Sequence, residues 1–182
     1  GRDAQGVRDV CRKRYVFDEA IELYNGAATR SAILSKLRYL ARNTKPDDSV
    51  FIYYAGHGHQ DELLNKGFWL PHDATRNDAT WIPNTYIRDY INARAMKAKH
   101  VLLVSDSCFS GDFFSEARVA PRITEAYHRR AYAKTSRQAI TSRGLAPVAH
   151  GPFAVFFTRA LRANRKPFVT PSAIFARMTA GG

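Results

Sequence analysis

Two short, uninterrupted apolar runs constrain this chain most: Val50-Phe51-Ile52-Tyr53-Tyr54 and Val101-Leu102-Leu103-Val104. Four or five apolar residues without polar alternation form the pattern of a strand buried on both faces. Such strands occur where helices cover both sides of a parallel sheet. Helical segments alternate with the two runs. Asp3 to Arg14 carries Val7, Val10 and Cys11 at helical spacing, and Thr29 is a good N-cap for a helix with Ile33, Leu34, Leu37 and Leu40. A third helix is expected over about Asn84 to Ala95. Ala20 to Tyr24 alternates like a strand closed by Asn25-Gly26, and Lys45-Pro46-Asp47-Asp48 reads as a turn. Further on, Gln138 to Thr141 reads as a short strand and Phe153 to Ala163 as an amphipathic helix. Thr170-Pro171 opens a last helix with an N-cap and a proline at the first helical position. This alternation predicts an α/β fold around a mostly parallel central sheet.

The chain has 182 residues, 45% hydrophobic and 24% charged, the balance of one globular domain over residues 1–182. That excludes a largely disordered chain and a collagen-like repeat. No apolar run approaches the roughly 20 residues of a membrane-spanning helix, and no basic segment leads into an apolar stretch at the N-terminus. The two cysteines, Cys11 and Cys108, are too few for a disulfide framework and lack metal-ligand spacing. A reducing, cytoplasmic setting is the simplest expectation. The net charge is +12, and ten Arg and Lys residues follow Glu125, the last acidic residue. No nucleic-acid-binding motif accompanies this charge, so nucleic acid is not the expected partner. Oligomeric state is not legible.

Each apolar run ends in reactive groups: Gly56-His57-Gly58-His59 after the first, Ser105-Asp106-Ser107-Cys108 after the second. In open α/β sheets ligands bind outside the C-terminal ends of the strands. A cysteine is a strong nucleophile as thiolate, and a neighbouring imidazole can take its proton and later protonate a leaving amine. His57 and Cys108 are therefore the candidate base and nucleophile. The backbone N–H groups of Gly58 and Cys108 are the candidate oxyanion donors. The competing reading is a structural cysteine and a polar turn histidine. A metal reading would need His57, His59 and Asp61 plus a further ligand, and no third His or Cys has motif spacing. Cys11, on the apolar face of the first helix, reads as core packing.

YYAGHG (Tyr53–Gly58) and SDSCFSG (Ser105–Gly111) resemble the His and Cys boxes of caspase-like peptidases, particularly metacaspases and their bacterial relatives. FWLPHDA (Phe68–Ala74), SRQAITS (Ser136–Ser142) and HGPFAVFFTRAL (His150–Leu161) are similar to further segments of that family, in the same order. The resemblance implies a cysteine endopeptidase with a His57–Cys108 dyad on a three-layer αβα fold. The family's first central strand would precede Asp3 and its last would follow Met178. The expectation is thus a core fragment whose sheet lacks both. In metacaspases the Asp of the box that holds the cysteine helps form an acidic S1 pocket, which implies that role for Asp106. A second carboxylate maps onto Asp3, for which a helix N-cap role stays open. Two carboxylates in one concave site select a cationic side chain, so cleavage after Arg or Lys of protein or peptide substrates is expected.

Alternatives are an inactive interaction module of the same fold, or cleavage after Asp. The dyad chemistry needs no cofactor, and the resemblance leaves activation by Ca²⁺ open. Ser115 to Ser136 is rich in Arg and poor in aliphatics, and reads as a mobile processing loop. An enzyme with an acidic S1 pocket would meet its preferred residue there at Arg118, Arg122, Arg129, Arg130 and Lys134.

Overall fold

The computed structural model describes residues 1–107, 132–142, 153–166 and 169–179. The first helix, α1 (Arg2–Arg14), buries Val7, Val10 and Cys11, the i, i+3, i+4 stripe of an amphipathic helix. In α2 (Arg30–Asn43) the Thr29 side chain accepts from the Ala32 N–H at 3.2 Å, so the expected cap forms, and Leu37 and Ala41 are buried. Strand β1 (Ser49–Ala55) follows the 45–48 turn, which Asp48 closes by accepting from the Lys45 N–H at 2.7 Å. A small antiparallel sheet comes next: β2 (Gly58–Asp61), β3 (Lys66–Trp69) and β4 (Ile82–Pro83). After α3 (Asn84–Asn92) the chain returns to the central sheet as β5 (His100–Asp106), and later as β6 (Ser136–Thr141). Two helices follow, α4 (Phe153–Ala163) and α5 (Pro171–Thr179), the latter with Thr170 accepting from the Ala173 N–H.

The central sheet has the order β1-β5-β6 and both pairings are parallel, as expected. Strand alternation sorts its side chains into two cores. Phe51, Tyr53, Leu102, Val104 and Ile140 face one way, against α1, α4 and α5. Val50, Ile52, Tyr54, Val101 and Leu103 face the other, against α2, α3 and Trp69. The fold is therefore three-layered, with helices on both faces. Phe157 anchors the first core. It is fully buried and stacks near Phe51, Tyr53 and Phe153 at centroid distances of 6.1, 5.7 and 6.0 Å.

Three expectations need correction. Val50 to Tyr54 forms a strand whose outer edge is unpaired among the described residues, as a sheet lacking its first strand implies, but it is half-buried rather than buried on both faces. Ala20 to Tyr24 forms no ladder. Side chains hold the stretch instead: Glu22 accepts from Arg8 and Arg12, and the Tyr39 hydroxyl donates to Glu19 at 3.1 Å. Asn25 takes φ 48° in the short 3-10 turn that follows. The third helix stops at Asn92 rather than Ala95. Met96 and Ala98 are drawn into the second core, and a turn from Ala93 to Met96 brings them there. Most of the Ser115 to Ser136 segment lies outside the described residues. Its end, Ser136, already belongs to β6.

Candidate active site

The parallel register of β1 and β5 pairs Tyr53 with Val104, Tyr54 with Ser105 and Ala55 with Asp106. The two strands leave the sheet side by side at the same edge, joined beyond the ladder by the Gly56 N–H donating to the Asp106 carbonyl at 3.3 Å. His57 stands two residues past Ala55, and Cys108 two residues past Asp106 in the sequence. Cys108 lies outside the described residues.

His57 is exposed at the mouth of this edge. Among the described residues its ring makes no hydrogen bond, so it is open to a solvent-side partner. Its backbone is firmly held. The His57 carbonyl accepts from the Leu70 N–H at 2.9 Å and from the Tyr54 hydroxyl at 2.9 Å. Gly56 has a steric reason to be glycine, since a Cβ there would lie 2.6 Å from the Tyr54 hydroxyl oxygen. The His57–Leu70 bond also sets the ladder that follows. Bonded and open pairs alternate along an antiparallel ribbon. Gly58, paired with Trp69 in the next position, therefore turns its N–H away from β3. His59 packs on Trp81 at a ring distance of 4.6 Å, and is thus engaged in aromatic packing. Among the described residues no group of three His, Cys, Asp or Glu side chains is placed to hold a metal ion.

Asp106 is half-buried beside β1. The Tyr53 hydroxyl donates to its Oδ2 over a long 3.4 Å. Burial pushes the Asp106 carboxyl above the usual carboxylate range, the negative charge of Asp3 pushes it further, and the Tyr53 hydrogen bond works the other way. Burial, with both carboxylates nearby, raises the Tyr53 phenol as well. Asp3 does not cap its helix. It sits inside the first turn of α1, the N-cap position is Gly1, and no side chain makes the cap hydrogen bond, which removes the helix-cap reading.

Cys11 is 8% exposed and its thiol is pushed up to about 11 by burial. That is the inert behaviour of a packed cysteine. No helix among the described residues is long and apolar enough to cross a membrane.

The family model of the caspase domain, Peptidase C14, matches residues 2–177. The chain belongs to the caspase-domain family. That family is generally one of hydrolytic cysteine peptidases acting on proteins, and the three-layer fold with its parallel sheet is consistent with it. No curated protein matches the chain.

The sequence singled out His57, Gly58, Asp106 and Asp3; the first three lie at or just past the C-terminal ends of β1 and β5, and Asp3, in the first turn of α1, bears on Asp106 through its negative charge. Sequence reasoning passed over the residues that support this caspase-domain edge: Tyr53, Tyr54, Trp69, Ser105 and Ser107. Tyr54 and Trp69 look like ordinary core aromatics in the sequence. The signal was their place in the YYAGHG, FWLPHDA and SDSCFSG segments, which was read for His57, Gly58, Asp106 and Cys108 alone.

Proposed function

We propose that this caspase-domain protein is a cysteine endopeptidase of metacaspase-like type that cleaves protein or peptide substrates after Arg or Lys. His57 takes the proton of the Cys108 thiol. The thiolate attacks the scissile carbonyl carbon, and the N–H groups of Gly58 and Cys108 receive the developing oxyanion. The His57 imidazolium then gives its proton to the leaving amine as the C–N bond breaks. Water, deprotonated by the same imidazole, hydrolyses the thioester and returns the thiol. No cofactor enters these steps. Asp106 and Asp3 receive the guanidinium or ammonium group of the substrate through charge-assisted hydrogen bonds.

The observation that carries this reading is the Ala55–Asp106 register, which sends the His and Cys boxes off neighbouring strands at one edge. The negative charge of Asp3 acting on half-buried Asp106 supports the specificity, because a bound cation would offset both burial and that charge. The test is labelling with a peptidyl-Arg electrophile, with and without added Ca²⁺, followed by peptide mass mapping. Label on Cys108 alone is expected, lost in His57→Ala, with Cys11 untouched because its thiol keeps its proton at neutral pH. Label that ignores His57 would overturn the dyad. A preference for peptidyl-Asp would overturn the acidic pocket, and no label at all would favour the interaction module.

A further inference from the structure

The edge that carries the candidate site is braced from beneath by a continuous assembly, buried at Trp69, Ser105 and Ser107. Tyr54 donates to the His57 carbonyl at 2.9 Å and lies 3.1 Å from the Leu70 carbonyl. Its ring stacks on Trp69, with centroids 3.9 Å apart and planes 6° from parallel. The Trp69 indole N–H, on a residue 2% exposed, donates to the Ser105 hydroxyl at 3.0 Å. The Ser105 and Ser107 hydroxyls share a hydrogen bond at 3.1 Å, both fully within the protein. The Ser142 hydroxyl at the end of β6 then donates to the Ser107 carbonyl at 2.9 Å. Ser107 is the residue before Cys108, and Tyr54 lies three before His57.

We propose that Tyr54, Trp69, Ser105 and Ser107 are positioning residues, which together fix the peptide leading into Cys108 against the turn that carries His57. The proposal rests on the dyad reading above. Three strands contribute to it: Tyr54 and Ser105 are register partners on β1 and β5, and Trp69 on β3 spans both. Ser107 stands one residue past the end of β5, where the chain bends and its hydroxyl meets that of Ser105. An apolar trio would fill this interior without the cost of burying an indole N–H and two hydroxyls. What hydrogen bonds add there is direction. Each fixes a distance and an angle that apolar contact leaves loose, and a nucleophile misplaced by about 1 Å can lose on the order of a hundredfold in rate. Burial keeps the Tyr54 phenol protonated and so able to donate.

A double variant separates this role from plain stabilisation. Ser105→Ala leaves the Trp69 N–H without that acceptor and should lower the melting temperature. Adding Trp69→Phe removes the donor too, and replacing both partners of that bond by apolar groups recovers part of such a loss, while the Ser107 hydroxyl still lacks its Ser105 partner. The expected result is partly recovered stability with kcat for an Arg peptide still reduced about 10- to 100-fold and KM little changed. Recovery of kcat together with stability would overturn the proposal. Tyr54→Phe, which keeps the stack and loses the bond to His57, should show the same split. Unchanged kcat there would remove Tyr54 from the assembly. Carbamidomethylation of Cys108 against pH distinguishes failure of the proposal from failure of the dyad. His57→Ala should move that profile if the dyad holds, and the double variant should move it in the same direction. If His57→Ala has no effect, the dyad itself is wrong. If only the double variant has no effect, the positioning role is wrong.

Discussion

Asp106 is held in an environment that opposes its charge. Burial first, and then the neighbouring Asp3, raise its carboxyl above the ordinary range, while the Tyr53 hydroxyl offsets only part of this. The sign follows from linkage. The unfolded chain loses this proton near the ordinary pKa of about 3.9, and the folded chain holds it to a higher pH. The contribution to stability is therefore present below the unfolded value and lost as pH rises through the folded one. At neutral pH the ionised Asp106 weakens the fold. Asp106→Asn keeps an acceptor for Tyr53 and should raise resistance to urea at pH 7. The same change should lower turnover of Arg peptides by about 2–5 kcal/mol, as for loss of one partner of a buried charge pair. Cleavage by the unaltered protein should fall on the acid side as Asp106 gains its proton, and that limb should vanish in the Asn variant. An Asn variant less stable at pH 7, or one that turns over Arg peptides normally, would refute this account of the residue.

Elements were legible where local chemistry decides them. Thr29 and Thr170 cap the helices they were expected to cap, and the apolar runs at 50–54 and 101–104 became neighbouring parallel strands. What the sequence did not reveal depends on partners distant in the chain. The strand-like alternation of 20–24 had no neighbour to pair with, and the small β2-β3-β4 sheet was missed. Its tip hides the turn behind exposed Leu63 and Leu64 and places Asn65 at φ 49°. The site was legible as motif residues, while its bracing was not, because Trp69 and Ser105 are 36 residues apart. Two glycines test how tightly an element is bound to its surroundings. Gly6 lies in α1 with nothing within 4 Å of a would-be Cβ, so Gly6→Ala should stabilise by about 0.5–1 kcal/mol. Gly56→Ala meets the Tyr54 hydroxyl and should destabilise by about 1–3 kcal/mol. It should also cost activity, by forcing the ring off Trp69 or the turn off its place. Thermal unfolding of the two variants side by side checks both signs.

At the scale of the whole molecule, Arg118, Arg122, Arg129, Arg130 and Lys134 fall between β5 and β6, where an enzyme selecting cationic side chains would find its own sites. Arg118, Arg122, Arg129 and Arg130 fall outside the described residues. Lys134 does not: its carbonyl lies 3.3 Å from the His100 ring nitrogen, and nearby Tyr132 packs edge-on against that ring. We expect the active protein to cut itself after one or more of these five residues, Arg118, Arg122, Arg129, Arg130 and Lys134, and the Cys108→Ala form to stay whole, as intact mass would report. The β5–β6 ladder and the packing of α1 on α4 straddle the cut. The two pieces should therefore elute as one particle under native conditions and separate only in denaturant. Unchanged mass in a sample shown to cleave peptide would exclude this. The α1 helix has a consequence of its own. Its inner face, Val7, Val10 and Cys11, belongs to the core built by α4 and α5, while its first turn carries Asp3, the second carboxylate of the proposed pocket. Helix ends fray before helix middles, so the second carboxylate is tethered to the least durable turn of an element anchored on the far side of the sheet from Trp69. If the proposed preference for a cationic side chain holds, it should be a temperature-sensitive trait, one that fades as that turn loosens while the central sheet remains in place.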